Sequence, residues 1–372
     1  MTVTVADIIN LMEIIAPSFL AEKWDNAGLQ VGQRDWPVRT IWVALDPLPE
    51  VVAAACKKDA DLLITHHPLI FQPLKSIDFK TPVGSVVHMA IMHRMAVYAS
   101  HTNLDNAKDG LNDILASLIG LQNLNALEKA GESENYKLVV YVPVEYERKF
   151  LDSIFKTNAG KIGTYKCCSF RNRGTGTFRP GPLANQFAGK TDEISNVDEI
   201  RIETVARKND LVDVIEHLRK NHPYETMAYD VYPLLTVGER QGIGRVGVLA
   251  ENVDLASFAL GIKEKLGLKY VKVAGKPDLA INKVAICTGS GSGLMDKFFS
   301  SGAQVYVSGD LRYHDARAVE AAGLGLIDIG HFASEHLIVD ALATRLRKIL
   351  SERGVDINVE ACELENDPFV IL

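Results

Sequence analysis

The chain has 372 residues, 47% hydrophobic and 23% charged, with a formal net charge of -7. That is an ordinary globular balance with room for two domains, and an acidic chain without a Lys/Arg patch is not expected to bind nucleic acid. Five cysteines, scattered apart from Cys167-Cys168 and without a Cys-x-x-Cys pair, fit reduced thiols, and no apolar run reaches the ~18 residues of a membrane span, so a cytoplasmic protein with no membrane partner is expected.

Val5 to Ile15 has helical spacing and should end before Pro17. A turn-rich segment from Trp24 leads to a β-rich run from Thr40 to Leu45, a helix from Pro47 to Lys58 and a strand from Leu62 to Thr65. A helix from Gly84 to His93 and a strand from Ala96 to Ala99 follow, and a loop opens over Ser100 to Asp105. Strand and helix alternate, which predicts a mostly parallel α/β sheet.

The same order returns near the C-terminus. A strand from Val284 to Cys287 meets a glycine-rich turn, Gly289 to Gly293, that leads into a helix; a strand from Val305 to Val307 ends in the polar stretch Ser308 to His314. A helix from Asp315 to Ala322, a strand from Gly325 to Ile329 and a terminal loop from Gly330 to Glu335 complete it. Ile41 to Thr65 and Val284 to Ser308 are equal intervals, so two similar halves are expected to bring four strand ends to one edge of a sheet, where open α/β folds bind ligands.

Between the halves, Gly131 to Asn135 resembles a linker. It precedes a strand from Tyr136 to Pro143 and a helix from Glu145 to Ala159. Arg171 to Pro182 is a long turn-rich loop, followed by a strand from Glu199 to Ala206, a helix from Leu211 to Asn221 and a strand from Thr226 to Tyr232. The expected organisation is one interrupted α/β domain, residues 1–130 and 237–372, with a ferredoxin-like α+β insert over residues 131–236.

Chemistry gathers at the strand ends. His66, His67, His101, Asp105, His331 and Glu335 are nitrogen and oxygen donors of the kind Zn, Fe, Ni or Mn accepts, with no cysteine near them in sequence. Any one histidine is more often a hydrogen-bonded core or surface group; their joint placement carries the reading. Asp105 also suits a cap for a helix starting near Ala107, a role worth ~1 kcal/mol. Ser334 reads as a helix cap, placing His331 on the loop and Glu335 in the first turn, where an anion favours the positive helix end. The sharper role for Glu335 is a bridge between two ions ~3.5 to 4 Å apart. Gly289 to Gly293 offers either backbone amides for a phosphate or a tight turn. Asp310 and His314 are candidates for proton exchange, or for pairing with Arg312 and capping.

Several stretches closely resemble the GTP cyclohydrolase 1 type 2 homologue family, also called NGG-one-interacting-factor-three-like. They begin at Trp24-Asp25-Asn26, Ile64-Thr65-His66-His67, Ser100-His101-Thr102, Cys287-Thr288-Gly289, Tyr306-Val307-Ser308 and Asp328-Ile329-Gly330-His331. The resemblance implies a dinuclear site of His66, His67, Asp105, His331 and Glu335, holding two divalent ions, zinc first, with iron, manganese or nickel as alternatives. His101 would stand beside it as an acid/base group. The middle segment resembles the PII-like, divalent-cation-tolerance-like insert of longer bacterial members, through Gly160-Lys161-Ile162, Gly174-Thr175-Gly176 and His222-Pro223-Tyr224-Glu225. Such members look like toroidal homohexamers.

Two functions follow as expectations. The first is a metal-dependent hydrolase acting on a small molecule, opening the guanine ring of GTP with formate release or cleaving another nucleotide or phosphoester, with His101 and His314 moving protons. The second is a metal- or metabolite-sensing assembly without robust catalysis. His222 and Glu225 would bind a small ligand or ion in the insert, or simply satisfy its turn.

Overall fold

The computed structural model describes residues 2–129, 135–162, 165–182, 191–234 and 241–370. The chain divides into two compact units, one formed by Met1–Gly131 with Glu239–Leu372 and the other by Glu132–Gly238.

In the first unit the strand order of the five-stranded sheet is Gly28–Val31, Ala96–Ala99, Leu62–Thr65, Thr40–Ala44, Asn358–Ala361. All neighbours run parallel except the edge strand Gly28–Val31. Leu62–Thr65 and Ala96–Ala99 are buried at every position, which is why their sequences are short continuous apolar runs rather than alternating ones: helices cover both faces. Val5–Ile15 supplies one of these covers. It buries Val5, Ile8, Ile9, Leu11, Met12 and Ile15, and its start is fixed by a reciprocal cap between Thr4 and Asp7.

The second sheet runs Lys272–Ala274, Gly325–Asp328, Val305–Gly309, Ala280–Ser290, Gly242–Asp254, Gln122–Lys129. Its central three strands are parallel and its flanks antiparallel. The strand ends expected at one sheet edge therefore come from two separate sheets.

Each half lends its last elements to the other. Helix Leu337–Glu352 packs Ile338, Leu342 and Leu346 into the core of the first sheet, and Asn358–Ala361 then pairs with Thr40–Ala44. Conversely Leu115, Ala116 and Ile119 of helix Leu111–Ile119 enter the core of the second sheet. This exchange was not legible as a pattern, because parallel edge pairing leaves no local turn signal.

Two stretches read as loops are helical. Ser100 to Asp105 enters the short helix Thr102–Asn106, so Asp105 lies inside it and caps nothing; the next helix, Leu111–Ile119, starts after Gly110. Gly330 to Glu335 likewise becomes the helix His331–Glu335, with Gly330 before it. Ser334 is not a cap: its hydroxyl donates to the His331 carbonyl and accepts from the Gly289 N–H at 2.8 Å.

The second unit holds four antiparallel strands in the order Ser169–Phe178, Ser195–Arg207, Asn135–Pro143, Tyr229–Pro233, with helices Glu147–Phe155 and Lys208–Asn221 packed through Phe150, Ile154, Val214 and Leu218. Much of the loop expected over Arg171 to Pro182 is strand. Its glycines mislead: Gly176 faces Glu199, whose Oε2 would lie 2.1 Å from a Cβ there, so glycine leaves that carboxylate its room within a strand. His222 serves its turn, since its Nε2 meets the Tyr141 carbonyl at 2.9 Å and its Nδ1 accepts from the Tyr224 N–H at 3.1 Å. The expected linker from Gly131 lies, apart from Asn135, outside the described residues. Among the described residues no helix is long and apolar enough to cross a membrane.

Candidate metal centre

His66 and His67 follow the strand Leu62–Thr65, His101 follows Ala96–Ala99, Asp105 sits in helix Thr102–Asn106, and His331 and Glu335 occupy one short helix after Gly325–Asp328. These elements place two groups of metal-capable side chains together, His66 with His67 and His101, and His67 with His331 and Glu335. Within each group the ligand atoms lie within 4.8 Å of one another. Donors bound ~2.1 Å from one ion sit within about 4.2 Å of each other, so a small inward movement of side chains suffices.

The orientation of the imidazoles is specific. His67 Nδ1 lies 2.7 Å from Asp46 Oδ1, His101 Nδ1 2.8 Å from Asp25 Oδ1, and His331 Nδ1 2.7 Å from Asp310 Oδ2. His66 Nδ1 lies 3.0 Å from the Ser100 carbonyl. Every ring thus has an acceptor at Nδ1, which makes that nitrogen a donor and turns Nε2 inward, where it can give up its proton to bind an ion. Metal-ligating histidines are held in this way.

The inward atoms converge on Glu335. Its Oε2 lies 3.0 Å from Nε2 of both His67 and His331, and its Oε1 lies 3.8 Å from His66 Nε2, which is 3.6 Å from Asp105 Oδ1. Yet His66 Nε2, Asp105 Oδ1 and Glu335 Oε2 are buried without a hydrogen-bond partner, so the short contacts are charge attraction out of line for a hydrogen bond. Buried polar atoms are rarely left unsatisfied. Three of them facing one space, all nitrogen or oxygen and none from cysteine, fit divalent metal ions.

Protonation tells the same story. Burial opposes charge on His67, but Asp46 and Glu335 overcome it and raise it to about 10. The Glu335 carboxylate, against burial and aided by Asp310, raises His331 to about 9. Burial would neutralise Glu335, but His331, His66 and His67 hold it well below the carboxylate range. Burial pushes Asp105 up, and Glu335 adds to this against the pull of His66. Asp25, despite its burial, is held at about 2 by His101 and Thr102. The cluster demands positive charge at its centre.

Glycine at position 289 has a steric reason. Gly289 adopts φ +67°, and a Cβ there would lie 2.1 Å from Glu335 Oε1. The N–H groups of Gly289 and Gly291 bond to Ser334 Oγ and the Gly309 carbonyl, so these two amides are engaged within the protein rather than offered to a phosphate. The glycine-rich turn makes room for a carboxylate.

Other expected residues fall differently. His314 is exposed at the start of helix Tyr313–Ala321, its ring edge-on to Tyr313, and belongs to neither group. Asp310 turns to His331 rather than to Arg312, from a left-handed φ of 52° that aspartate tolerates better than most residues. Asp25 and Asp46 were passed over in the sequence. Both follow or face strand ends, and a search for one carboxylate per ligand histidine would have raised them. Glu365 was invisible: it accepts from the N–H groups of Leu45 and Asp46 across most of the chain length and so fixes the segment that orients His67.

The fold and cluster define a mixed α/β protein with three sheets and a His/Glu group able to bind metal. The profile of the Duf34/NIF3 (NGG1p interacting factor 3) family matches residues 3–368, and the chain belongs to that family. It is 38% identical over 365 residues to a Bacillus subtilis protein named GTP cyclohydrolase 1 type 2 homolog, covering 98% of each chain. A Listeria monocytogenes protein of the same name is 36% identical over 364 residues, covering 96% of each. Among solved structures, a Bacillus cereus protein related to NIF3 matches the whole of both chains with 37% identity and a TM-score of 0.75.

Proposed function

We propose that the protein is a dinuclear metal-dependent hydrolase. The observation that carries this is the convergence of inward Nε2 atoms and unsatisfied carboxylate oxygens on Glu335. His66, Asp105 and His101 would hold one ion, His331 the other, with His67 and Glu335 at the junction of the two groups. His101, expected as a proton carrier, has an Asp25-anchored ring and stands in the first group, which supports reading it as a ligand as well. His314 receives no role. Two divalent ions there would acidify a water molecule and stabilise developing negative charge.

The residues of the chain do the rest. Asp25, Asp46 and Asp310 keep three imidazoles in one tautomer and one orientation, and the buried walls of the site exclude bulk water from His66, Asp105 and Glu335. The donor set favours zinc, with iron, manganese or nickel as alternatives. GTP enters as a substrate through the names of the relatives. Ring opening would begin at C8 of the guanine, with formate released.

The discontinuous unit would be the metal-binding domain, and the second unit a ferredoxin-like, PII-like insert; its β-α-β-β-α-β order and antiparallel sheet support this. The five free cysteines of the whole chain suit a reducing cytoplasm. Toroidal homohexamer assembly rests on family resemblance alone, and analytical ultracentrifugation tests it. For the activity, protein loaded separately with zinc, manganese and iron is incubated with GTP and formate is measured. Formate release that disappears in His67→Ala is expected. Metal uptake without turnover of GTP or a phosphoester would replace this function by metal sensing.

A further inference from the structure

Trp24 and Phe71 stand beside the cluster on the His101 side. Their ring centroids are 5.8 Å apart with planes inclined at 57°, and they lie 5.9 Å and 6.5 Å from the His101 ring. Trp24 is 59% exposed and Phe71 48%, whereas Trp42 is buried in the core at 6%. Large aromatic rings normally gain by burial. Here two are left open next to a polar site.

They are also held in place. Asn26 Nδ2 donates to the Ile70 carbonyl at 2.6 Å, the Ile70 N–H donates to Gln30 Oε1 at 3.2 Å, and Gln30 Nε2 donates to the Asn26 carbonyl at 2.7 Å. Asp25, between Trp24 and Asn26, is pinned by His101 and the Thr102 N–H. The segments carrying the two rings are thus stitched together and tied to His101. Their arrangement is set before any ligand arrives, which lowers the ordering cost of binding.

We infer that Trp24 and Phe71 form an aromatic corner that binds a planar heteroaromatic ring, stacked on one of them and edge-on to the other, beside His66, His67 and His101. A bare phosphoester has no face to stack on them, and an aliphatic substrate gains nothing from two π surfaces beyond burial. Trp24 and Phe71 each meet His101 near edge-on, at 75° and 73°, so a ring stacked on the exposed face of either lies beside the metal-capable group. What happens to the ring there rests on the hydrolase reading; its recognition does not.

The test is calorimetric titration of the full-length, zinc-loaded protein with guanosine, GTP and inorganic triphosphate, repeated on Trp24→Leu and Phe71→Leu. Guanosine and GTP should bind, and each substitution should weaken both by roughly 5- to 100-fold, the range of one lost base–aromatic stack. Zinc uptake and melting temperature should match the parent protein. Trp24→Tyr keeps a π face and should recover most of the guanosine affinity, which separates a lost stack from a damaged fold. Guanosine binding equally to the parent and both leucine variants, or triphosphate binding where guanosine does not, overturns the corner. The hydrolase reading stands or falls separately, on zinc uptake and its loss in His67→Ala: a ring bound through Trp24 without zinc uptake would sink that reading and leave the corner intact.

Discussion

Gly289 and Glu335 approach so closely that no side chain fits between them, with Glu335 Oε1 2.1 Å from where a Cβ at position 289 would be. The carboxylate that sits between His67 and His331 is therefore positioned partly by an absence on the neighbouring strand. Gly289→Ala must both displace Glu335 and hold alanine at φ +67°, a conformation costing ~1–2 kcal/mol for an L residue. Metal content of the purified variant, measured by atomic emission, should fall below that of the parent while the circular dichroism spectrum is unchanged. Full metal content would show that Glu335 needs no such room.

The carboxylates behind the histidines are a second target. Asp46→Ala and Asp310→Asn each weaken or remove the acceptor at one Nδ1, that of His67 or of His331. Partners in this position typically contribute 10- to 100-fold to metal affinity. Competition against a chromogenic chelator should show a loss of about that size in each variant. Equal affinity would mean the rings are held by packing alone.

Arg245 is fully buried, with Nε and Nη2 on Asp113 at 2.7 and 3.0 Å and further bonds to the carbonyls of Ala107, Gly242 and Gly244. Arg245→Met strands the Asp113 carboxylate and should cost ~3–5 kcal/mol in chemical denaturation. Pairing it with Asp113→Leu should recover a large part of that loss. A double variant no better than the single one would assign the cost to the carbonyl contacts instead.

The insert should respond to acid through His222. Burial lowers its pKa below the ordinary ~6.5, while the bond from its Nε2 to the Tyr141 carbonyl partly resists this. The unfolded chain then binds a proton that the folded ring refuses, so the contribution of His222 is complete above about pH 6.5 and is lost as pH falls through the folded value. Hydrogen exchange in helix Lys208–Asn221, followed from pH 7.5 to 5, should quicken beyond its intrinsic pH trend in the parent protein and much less in His222→Gln. An identical profile in both would place the acid response elsewhere.

Strands such as Leu62–Thr65 and Ala96–Ala99 were legible residue by residue, because a strand buried on both faces is written as an unbroken apolar run. His66, His67 and His331 stood out for a related reason: polar residues directly after such runs have nowhere to go but a site. Helix Thr102–Asn106 was missed because its helical turn carries buried Asn103 and Asn106, whose side chains bond to the carbonyls of Ala16 and Leu20, contacts no local pattern announces. Strand Ser169–Phe178 was missed because its glycines read as turn signals, although Gly176 faces Glu199 across the sheet and Gly174 opens onto free space. Local periodicity reports burial; it is silent on partners distant in sequence.

Lys129 pairs with Gly242, and Glu128 with Ile243, on neighbouring antiparallel strands of the second sheet. The chain leaves the first unit and returns to it at adjacent points, so the ends there are already as close as those of a hairpin. A short Asn-Gly turn could join them. Evolution can therefore add, exchange or delete everything between Lys129 and Gly242 as a cassette, leaving the ligand-bearing strand ends in register.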